Sequence, residues 1–214
     1  LLKPVIKKIQ KSKFLDLQLI VSGAHLSGLY GSTIDTIHDD GFSIDETIDL
    51  NLGDNTEDGV ANSFAKAVSG FSLYLQKSSC DCVLLLGDRY EILAFAVSAL
   101  LHNVPIAHLH GGEVTIGAID DSIRHAITKL SKLHFAATSE YASRIVQMGE
   151  DPKRVFNVGG LGADVINQTR IFSKDELSAS LGVNILDYRN RIIVTFHPET
   201  CDQVSGLEQL KALL

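Results

Sequence analysis

The stretch that decides the fold is CVLLLGDRYEILAFAVSALLHNVPIAHLHGGE, at residues 82–113. It opens with a continuous apolar run at 82–86, which predicts a strand whose two faces are both covered by helices. An apolar helix is predicted at 90–102 and a second strand at 104–109. A strand, a helix and another strand in this order form the repeating unit of a parallel sheet.

The same alternation continues on both sides of this unit. The further predicted elements are helices around 2–9 and at 61–76, 120–130 and 140–148, and strands at 17–21, 135–138 and 154–158. The pattern predicts the α/β class, with a doubly wound, Rossmann-like parallel sheet.

A glycine-rich turn at 159–162 interrupts the alternation. We therefore predict an N-terminal Rossmann-like domain at 1–160 and the start of a second Rossmann-like domain at 161–214. One strand and two helices are predicted in the second part, and they cannot bury a sheet face. We expect that domain to be incomplete. The chain also opens inside a helix, where a doubly wound fold normally begins with a strand.

Local signals mark the elements of the second part. Ser173 and Glu176 have the spacing of a capping box, which predicts a helix that ends at Gly182. A strand is predicted at 191–195 and a last helix at about 202–214.

Composition excludes several classes of protein. The net charge of −7 argues against nucleic-acid binding, which requires a basic surface. The apolar runs are shorter than a membrane span, and no signal peptide opens the chain. The three cysteines, Cys80, Cys82 and Cys201, fit neither a disulfide framework nor a zinc site, and indicate free thiols in a reducing compartment. We predict a soluble cytoplasmic protein.

Polar side chains follow the predicted strands. Asp88 comes after the first strand of the deciding stretch, and His110 and Glu113 come after the second. Ligands of open α/β sheets bind at the carboxyl ends of the strands, so these side chains should share one crevice. Two alternatives stay open: Asp88 as the cap of the next helix, and His108 with His110 as a metal site, although His108 is better explained as a core histidine.

A helix predicted to start at Asp120 adds a third carboxylate and an arginine. Asp120 and Arg124 lie four residues apart, as do Asp121 and His125, so each pair shares a helix face. Two surface salt bridges would explain this spacing equally well, and each would be worth under ~1 kcal/mol. The convergence of Asp88, Glu113 and Asp120 on successive strand ends favours acid/base chemistry.

Further along the chain, His197 follows the strand predicted at 191–195, and Pro198 ends that strand. We expect His197 to face the cleft between the two domains. The dinucleotide-binding fingerprint, the Walker A sequence and the Gly-x-Ser-x-Gly elbow are all missing from the sequence. We accordingly predict no cofactor and no metal.

Five motifs together resemble one enzyme family. They are VSGAHLS at 21–27, LGDR at 86–89, HLHGGE at 108–113, IDDSIRH at 119–125 and TFHP at 195–198. In this order they resemble the hydrolysing UDP-N-acetylglucosamine 2-epimerases of sialic and legionaminic acid synthesis. The resemblance implies two Rossmann-like domains in the GT-B arrangement, a UDP-sugar substrate and a homo-oligomer.

The family's reaction gives these residues roles. It eliminates UDP by removing the C2 proton of the sugar, and water then adds to the glycal to release N-acetylmannosamine. By resemblance, the catalytic candidates are Asp88, Glu113, Asp120 and His197, and the substrate-binding candidates are His25, Arg89, His110, Arg124 and Gly159. The identity of the base among the carboxylates stays open, as does a UDP-diacetamido sugar as substrate.

Departures from the family pattern set limits on this interpretation. Some relatives carry Glu where His110 stands, so the role of that Glu does not transfer. The family's first strand and its Gly-Thr-Arg-type loop are expected before Leu1, and most of the second domain beyond Leu214. The alternatives are a GT-B glycosyltransferase and a truncated, inactive binding domain.

Overall fold

The computed structural model describes residues 1–54, 56–185, 192–196 and 205–214. The strands there are β1 (Ile20–Ser22), β2 (Glu46–Ile48), β3 (Val83–Leu86), β4 (Ile106–Leu109), β5 (Leu133–Ala136) and β6 (Val155–Asn157). The α-helices there are α1 (Lys3–Gln10), α2 (Ile34–Asp39), α3 (Glu57–Leu75), α4 (Tyr90–Leu101), α5 (Asp120–Leu130), α6 (Ser139–Gln147), α7 (Leu161–Gln168), α8 (Lys174–Leu181) and α9 (Gly206–Leu213).

Two parallel sheets form the fold. One has four strands in the order β3-β4-β5-β6, and the other pairs β1 with β2. All the strand pairs are parallel, and helices alternate with the strands of the larger sheet. The predicted α/β class with Rossmann-like parallel strands is confirmed. In this arrangement β3 and β4 end beside each other, because Leu86 pairs in register with Leu109.

The core lies between these sheets and helices α3 and α4. Every residue of β4 is buried, whereas β3, which the apolar run at 82–86 predicts to be covered on both faces, alternates buried and half-buried residues. Three alanines of α4, at 94, 96 and 99, are fully buried, and their small side chains let α4 pack closely against α3. Phe71 of α3 fills the space between α3 and α4 by packing against Phe95, at 5.1 Å between ring centroids.

Two elements differ from the sequence predictions. The glycine-rich turn predicted at 159–162 is shorter than expected, because α7 begins at Leu161, whose side chain is buried. The strand predicted at 191–195 is wrong for residues 192–195, which have no regular secondary structure and expose Ile192 and Ile193. Arg191 lies outside the described residues.

The helix signals of the second part are confirmed. Ser173 accepts from the Glu176 backbone amide, and the Glu176 carboxylate accepts from the Ser173 amide, so the capping box forms. Gly182 ends α8 in the left-handed conformation, with φ +65°. The last helix begins at Gly206, and its predicted start at 202–204 lies outside the described residues. The division of the chain at residue 160 stays a prediction.

Among the described residues, no helix combines the length and the apolar character that a membrane span requires.

Candidate active site

The Asp88 carboxylate lies at the carboxyl end of β3 and forms an ion pair with Arg124. Gly87 makes the turn between the strand and Asp88, and its φ of +85° is a conformation that glycine adopts without strain. The N-cap residue of α4 is Arg89 and not Asp88, so the helix-capping alternative for Asp88 does not hold. The carboxylate is left to face the end of the sheet.

Arg124 reaches Asp88 from the second turn of α5. The side chain is only 7% exposed, and burial lowers its pKa. Its Nη2 contacts Asp88, whereas Nε and Nη1 are buried without a hydrogen-bond partner in the described part of the chain. Buried donors rarely lack a hydrogen-bond partner, so these two nitrogens mark Arg124 as a position that requires a functional explanation.

The surface salt bridges predicted on α5 form only in part. His125 Nε2 lies 3.7 Å from Asp121 Oδ2, as the spacing predicts. The predicted pair of Asp120 with Arg124 is not formed, because Arg124 turns inward to Asp88, which lies 36 positions away in the sequence. The Asp120 carboxylate lies instead in the electrostatic field of Arg89.

His110 and Glu113 form a second pair, at the carboxyl end of β4. His110 Nδ1 lies 2.6 Å from Glu113 Oε1, and Nε2 accepts a long hydrogen bond of 3.5 Å from the Leu161 amide. Nδ1 therefore carries the proton, and Nε2 presents a lone pair toward the start of α7. His110 has φ +63°, a strained conformation that concentrates at functional sites when the surrounding structure enforces it.

The glycines between these two residues let three elements approach. A Cβ on Gly111 would lie 3.0 Å from both His108 Nδ1 and Thr128 Oγ1. A Cβ on Gly112 would lie 2.4 Å from the Tyr141 carbonyl oxygen of α6. The turn that carries the His110–Glu113 pair is thus packed directly against α5 and α6.

The metal alternative for His108 in β4 and His110 just after it gains no support. His108 is fully buried and its Nε2 lies 2.8 Å from the Gly87 carbonyl oxygen, as expected for a core histidine. The described residues contain no group of three potential metal ligands.

Arg89 is held by a neighbour that the sequence reasoning did not single out. Its Nε and Nη2 donate to the Glu91 carboxylate, at 3.0 to 3.2 Å. This hydrogen bonding raises the pKa of Arg89. Glu91 is buried, whereas most of the Arg89 side chain is exposed. The Glu91 carboxylate therefore holds the Arg89 guanidinium in place while most of the side chain stays accessible to solvent.

Two of the remaining candidates, His25 and Gly159, lie in loops that follow strands. His25 lies in a 3₁₀ turn after β1, and its Nδ1 is 2.6 Å from Thr33 Oγ1. Gly159 has φ +83°, and a Cβ added there would meet no atom within 4 Å, so its backbone conformation alone favours glycine. His197 lies outside the described residues.

Two further residues that support the site were also missed. Thr128 of α5 is fully buried between His108 and the Arg124 carbonyl oxygen. Arg144 of α6 donates to the Gly112 carbonyl oxygen and so fixes the glycine turn. The sequence signal for Thr128 is weak, since a threonine on a helix face ordinarily bonds its own backbone.

The family of this chain follows from comparison with known proteins. The model of the family described as UDP-N-acetylglucosamine 2-epimerase matches residues 7–214, and the chain belongs to this family.

Relatives and solved structures agree with this assignment. The chain is similar to a GDP/UDP-N,N′-diacetylbacillosamine 2-epimerase (hydrolyzing) of Campylobacter jejuni, with 40% identity over all of this chain and 55% of the relative. It is also similar to polysialic acid biosynthesis protein P7 of Escherichia coli, with 36% identity over all of this chain and 54% of that protein. The chain therefore spans about half the length of these relatives.

A crystal structure of the Neisseria meningitidis UDP-GlcNAc 2-epimerase bound to UDP-GlcNAc shares the fold. The aligned region covers 85% of this chain and 50% of the Neisseria meningitidis chain, with a TM-score of 0.66 and 18% sequence identity. At this identity the likeness concerns the fold.

Proposed function

We propose that this chain is part of a hydrolysing 2-epimerase that converts UDP-N-acetylglucosamine, or a UDP-diacetamido sugar, to UDP and the 2-epimeric free sugar. The observation that carries the proposal is the meeting of two ionisable pairs, Asp88 with Arg124 and His110 with Glu113, at adjacent strand ends. Family membership and a relative named as a hydrolysing 2-epimerase support the reaction class.

The proposed chemistry has two halves. A base removes the C2 proton as the C1–O bond to UDP breaks, which leaves a glycal with a C1–C2 double bond. Water then adds its oxygen to C1 while an acid returns a proton to C2. Both halves require groups that exchange protons near neutral pH, and positioned carboxylates and imidazoles meet this requirement.

Each candidate has a proposed role. Asp88, Glu113, Asp120 and His197 are the acid/base candidates, and Glu113 would work together with His110 because the two are hydrogen-bonded. Arg124 would hold the Asp88 carboxylate and place a positive charge near the leaving diphosphate, as positioned cations do for developing anions. The proposed substrate-binding residues are His25, Arg89, His110, Arg124 and Gly159.

Acceptor dependence separates this proposal from its competitor. A GT-B glycosyltransferase would require an acceptor, whereas the 2-epimerase releases UDP and N-acetylmannosamine, or its diacetamido analogue, from the nucleotide sugar and water alone. The protein made from its complete reading frame is incubated with each UDP-sugar, and both products are measured. Turnover only when an acceptor is added would contradict the proposal.

A matched pair of variants ties the activity to this edge of the sheet. Asp88→Asn should lower kcat by about 10²–10⁴-fold, the usual contribution of a general acid or base. Asp151→Asn makes the same chemical change just before β6, at the opposite edge of the sheet, where Asp151 accepts from the Lys153 amide. It should leave kcat unchanged. The expected homo-oligomer and the cytoplasmic location stay predictions.

A further inference from the structure

His108 occupies the centre of the four-stranded sheet, beneath the proposed site. It lies on β4, is fully buried, and pairs in register with His134 of β5. Its ring contacts polar atoms on two sides: Nε2 is 2.8 Å from the Gly87 carbonyl oxygen, and Nδ1 is 3.3 Å from Thr128 Oγ1.

The first contact fixes the tautomer of the ring. A carbonyl oxygen only accepts hydrogen bonds, so Nε2 carries the hydrogen and donates it to Gly87. Burial lowers the pKa of His108 to about 4, so the ring is neutral near pH 7. Nδ1 then holds a lone pair directed toward the Thr128 hydroxyl.

The second contact connects His108 to helix α5, which also carries Arg124. The Thr128 hydroxyl has a single hydrogen, which it donates to the Arg124 carbonyl oxygen at 2.9 Å, so its 3.3 Å approach to His108 Nδ1 is a packing contact. The Arg124 guanidinium pairs with Asp88. Asp88 follows Gly87, which His108 holds. The imidazole therefore donates a hydrogen bond to the strand turn that carries the carboxylate and packs against the helix that carries its partner cation.

Glycine at position 111 leaves space for the His108 and Thr128 side chains to approach each other. A methyl group there would lie 3.0 Å from both His108 Nδ1 and Thr128 Oγ1, closer than ordinary van der Waals contact. The backbone holds the same turn, because the Gly87 amide donates to the Leu109 carbonyl oxygen at 3.2 Å. Gly87 is thus held at both its N–H and its C=O.

We propose that His108 is a positioning residue, which fixes the Asp88 carboxylate against Arg124 in the geometry that the reaction needs. The inference rests on the proposed function and adds to it a residue that does not touch the substrate. A displacement of about 1 Å in a reacting group lowers a rate by about 10²-fold, so a buried hydrogen bond behind Asp88 has a measurable effect on turnover.

Two variants separate the hydrogen bond from the packing. His108→Leu removes the Nε2 donor and keeps most of the volume, and should lower kcat by about 10–100-fold with KM changed by less than about 3-fold. His108→Gln places a carboxamide N–H near the position of Nε2, and should restore kcat to within about 5-fold of wild type. If the leucine variant does not fold, His108→Asn replaces it, because the shorter amide does not reach Gly87.

His134 supplies the matched control. It is a fully buried histidine on the adjacent strand, but its Nε2 lies 3.3 Å from Glu150 Oε2 and it does not contact the Gly87 turn. His134→Leu should lower the melting temperature, as His108→Leu does, and keep kcat per folded enzyme within about 2-fold of wild type. An equal loss of kcat in both leucine variants, or a glutamine variant as slow as the leucine variant, would overturn the proposal.

Backbone hydrogen exchange keeps the inference separate from the proposed function. The amide of Gly87, which donates to the Leu109 carbonyl oxygen, should exchange at least about 10-fold faster in His108→Leu than in wild type, while the amides of β5 should not. This readout requires no turnover. Absence of UDP release by the wild-type protein would refute the proposed function, whereas unchanged exchange at the Gly87 amide would refute the role of His108.

Discussion

Replacing Gly112 by alanine tests how tightly the turn that carries His110 and Glu113 is packed. The added Cβ would lie 2.4 Å from the Tyr141 carbonyl oxygen and 2.9 Å from Ile145 Cγ1. The first of these atoms belongs to the backbone of α6, so no side-chain rotation relieves the contact. Relief requires the turn and α6 to separate by roughly 1 Å, the gap to ordinary van der Waals contact.

Two contributions determine how far Gly112→Ala lowers the free energy of unfolding. Gly112 has φ +77°, and a left-handed conformation costs an alanine about 1–2 kcal/mol. The forced separation from α6 adds about 1–3 kcal/mol, the usual cost of overpacking. The free energy of unfolding should therefore fall by about 2–5 kcal/mol.

Gly149→Ala is the control that carries only the first contribution. Gly149 has φ +94°, and the nearest atom to an added Cβ is the flexible Lys129 Nζ, at 3.9 Å. Urea unfolding of both variants, at unchanged m-value, should show Gly112→Ala to be less stable than Gly149→Ala by about 1–3 kcal/mol. Equal losses would refute the close packing of the turn against α6. The displaced His110–Glu113 pair should also lower kcat in Gly112→Ala alone.

Three more predictions follow from individual contacts. Because burial holds the folded pKa of His108 near 4, below the ordinary 6.5, its stabilising effect is complete above pH 6.5 and lost as the pH falls toward 4. The loss is about 3 kcal/mol, and urea unfolding against pH should show a smaller loss over this interval in His108→Gln. Arg124→Met should lower the free energy of unfolding by about 2 kcal/mol, less than the ~3–5 kcal/mol of a fully buried pair because Asp88 is partly exposed, and an unchanged value would contradict the pairing. Thr138→Ala removes the N-cap of α6 and should cost about 1 kcal/mol by thermal unfolding, whereas exposed Thr169→Ala, which caps no helix start, should cost less.

The fold was predictable wherever local patterns and burial agree. The continuous apolar runs of β3 and β4 and the amphipathic repeat of α5 predict these elements to within two residues. Strand β2 escaped prediction because Glu46–Ile48 is short and lies among acidic residues, and it is stabilised by pairing with β1 and by burial of Ile48 in the core. Helix α7 escaped because Gly160 and Gly162 indicate a turn, yet burial of Leu161 overrides this local preference.

The sequence predicts that Asp88, His110 and Glu113 follow the ends of two strands, but it does not predict how the candidate residues pair. Sequence spacing favours Asp120 as the partner of Arg124, since residues four apart on a helix are neighbours. The structure pairs Arg124 with Asp88, because the alternation of strands and helices brings the start of α5 to the end of β3. The conformation of His110 at φ +63° is equally a product of tertiary contacts, which no local pattern indicates.

Proton exchange at C2 of the sugar tests the central claim most directly. The protein made from its complete reading frame is given UDP-N-acetylglucosamine, or the UDP-diacetamido sugar, in deuterium oxide, and the released free sugar is examined by NMR and mass spectrometry. Removal of the C2 proton by a group at this site, followed by protonation from solvent, predicts one deuteron at C2 of the 2-epimeric product and loss of that product in Asp88→Asn. A released sugar that retains its original C2 proton and configuration would contradict the account.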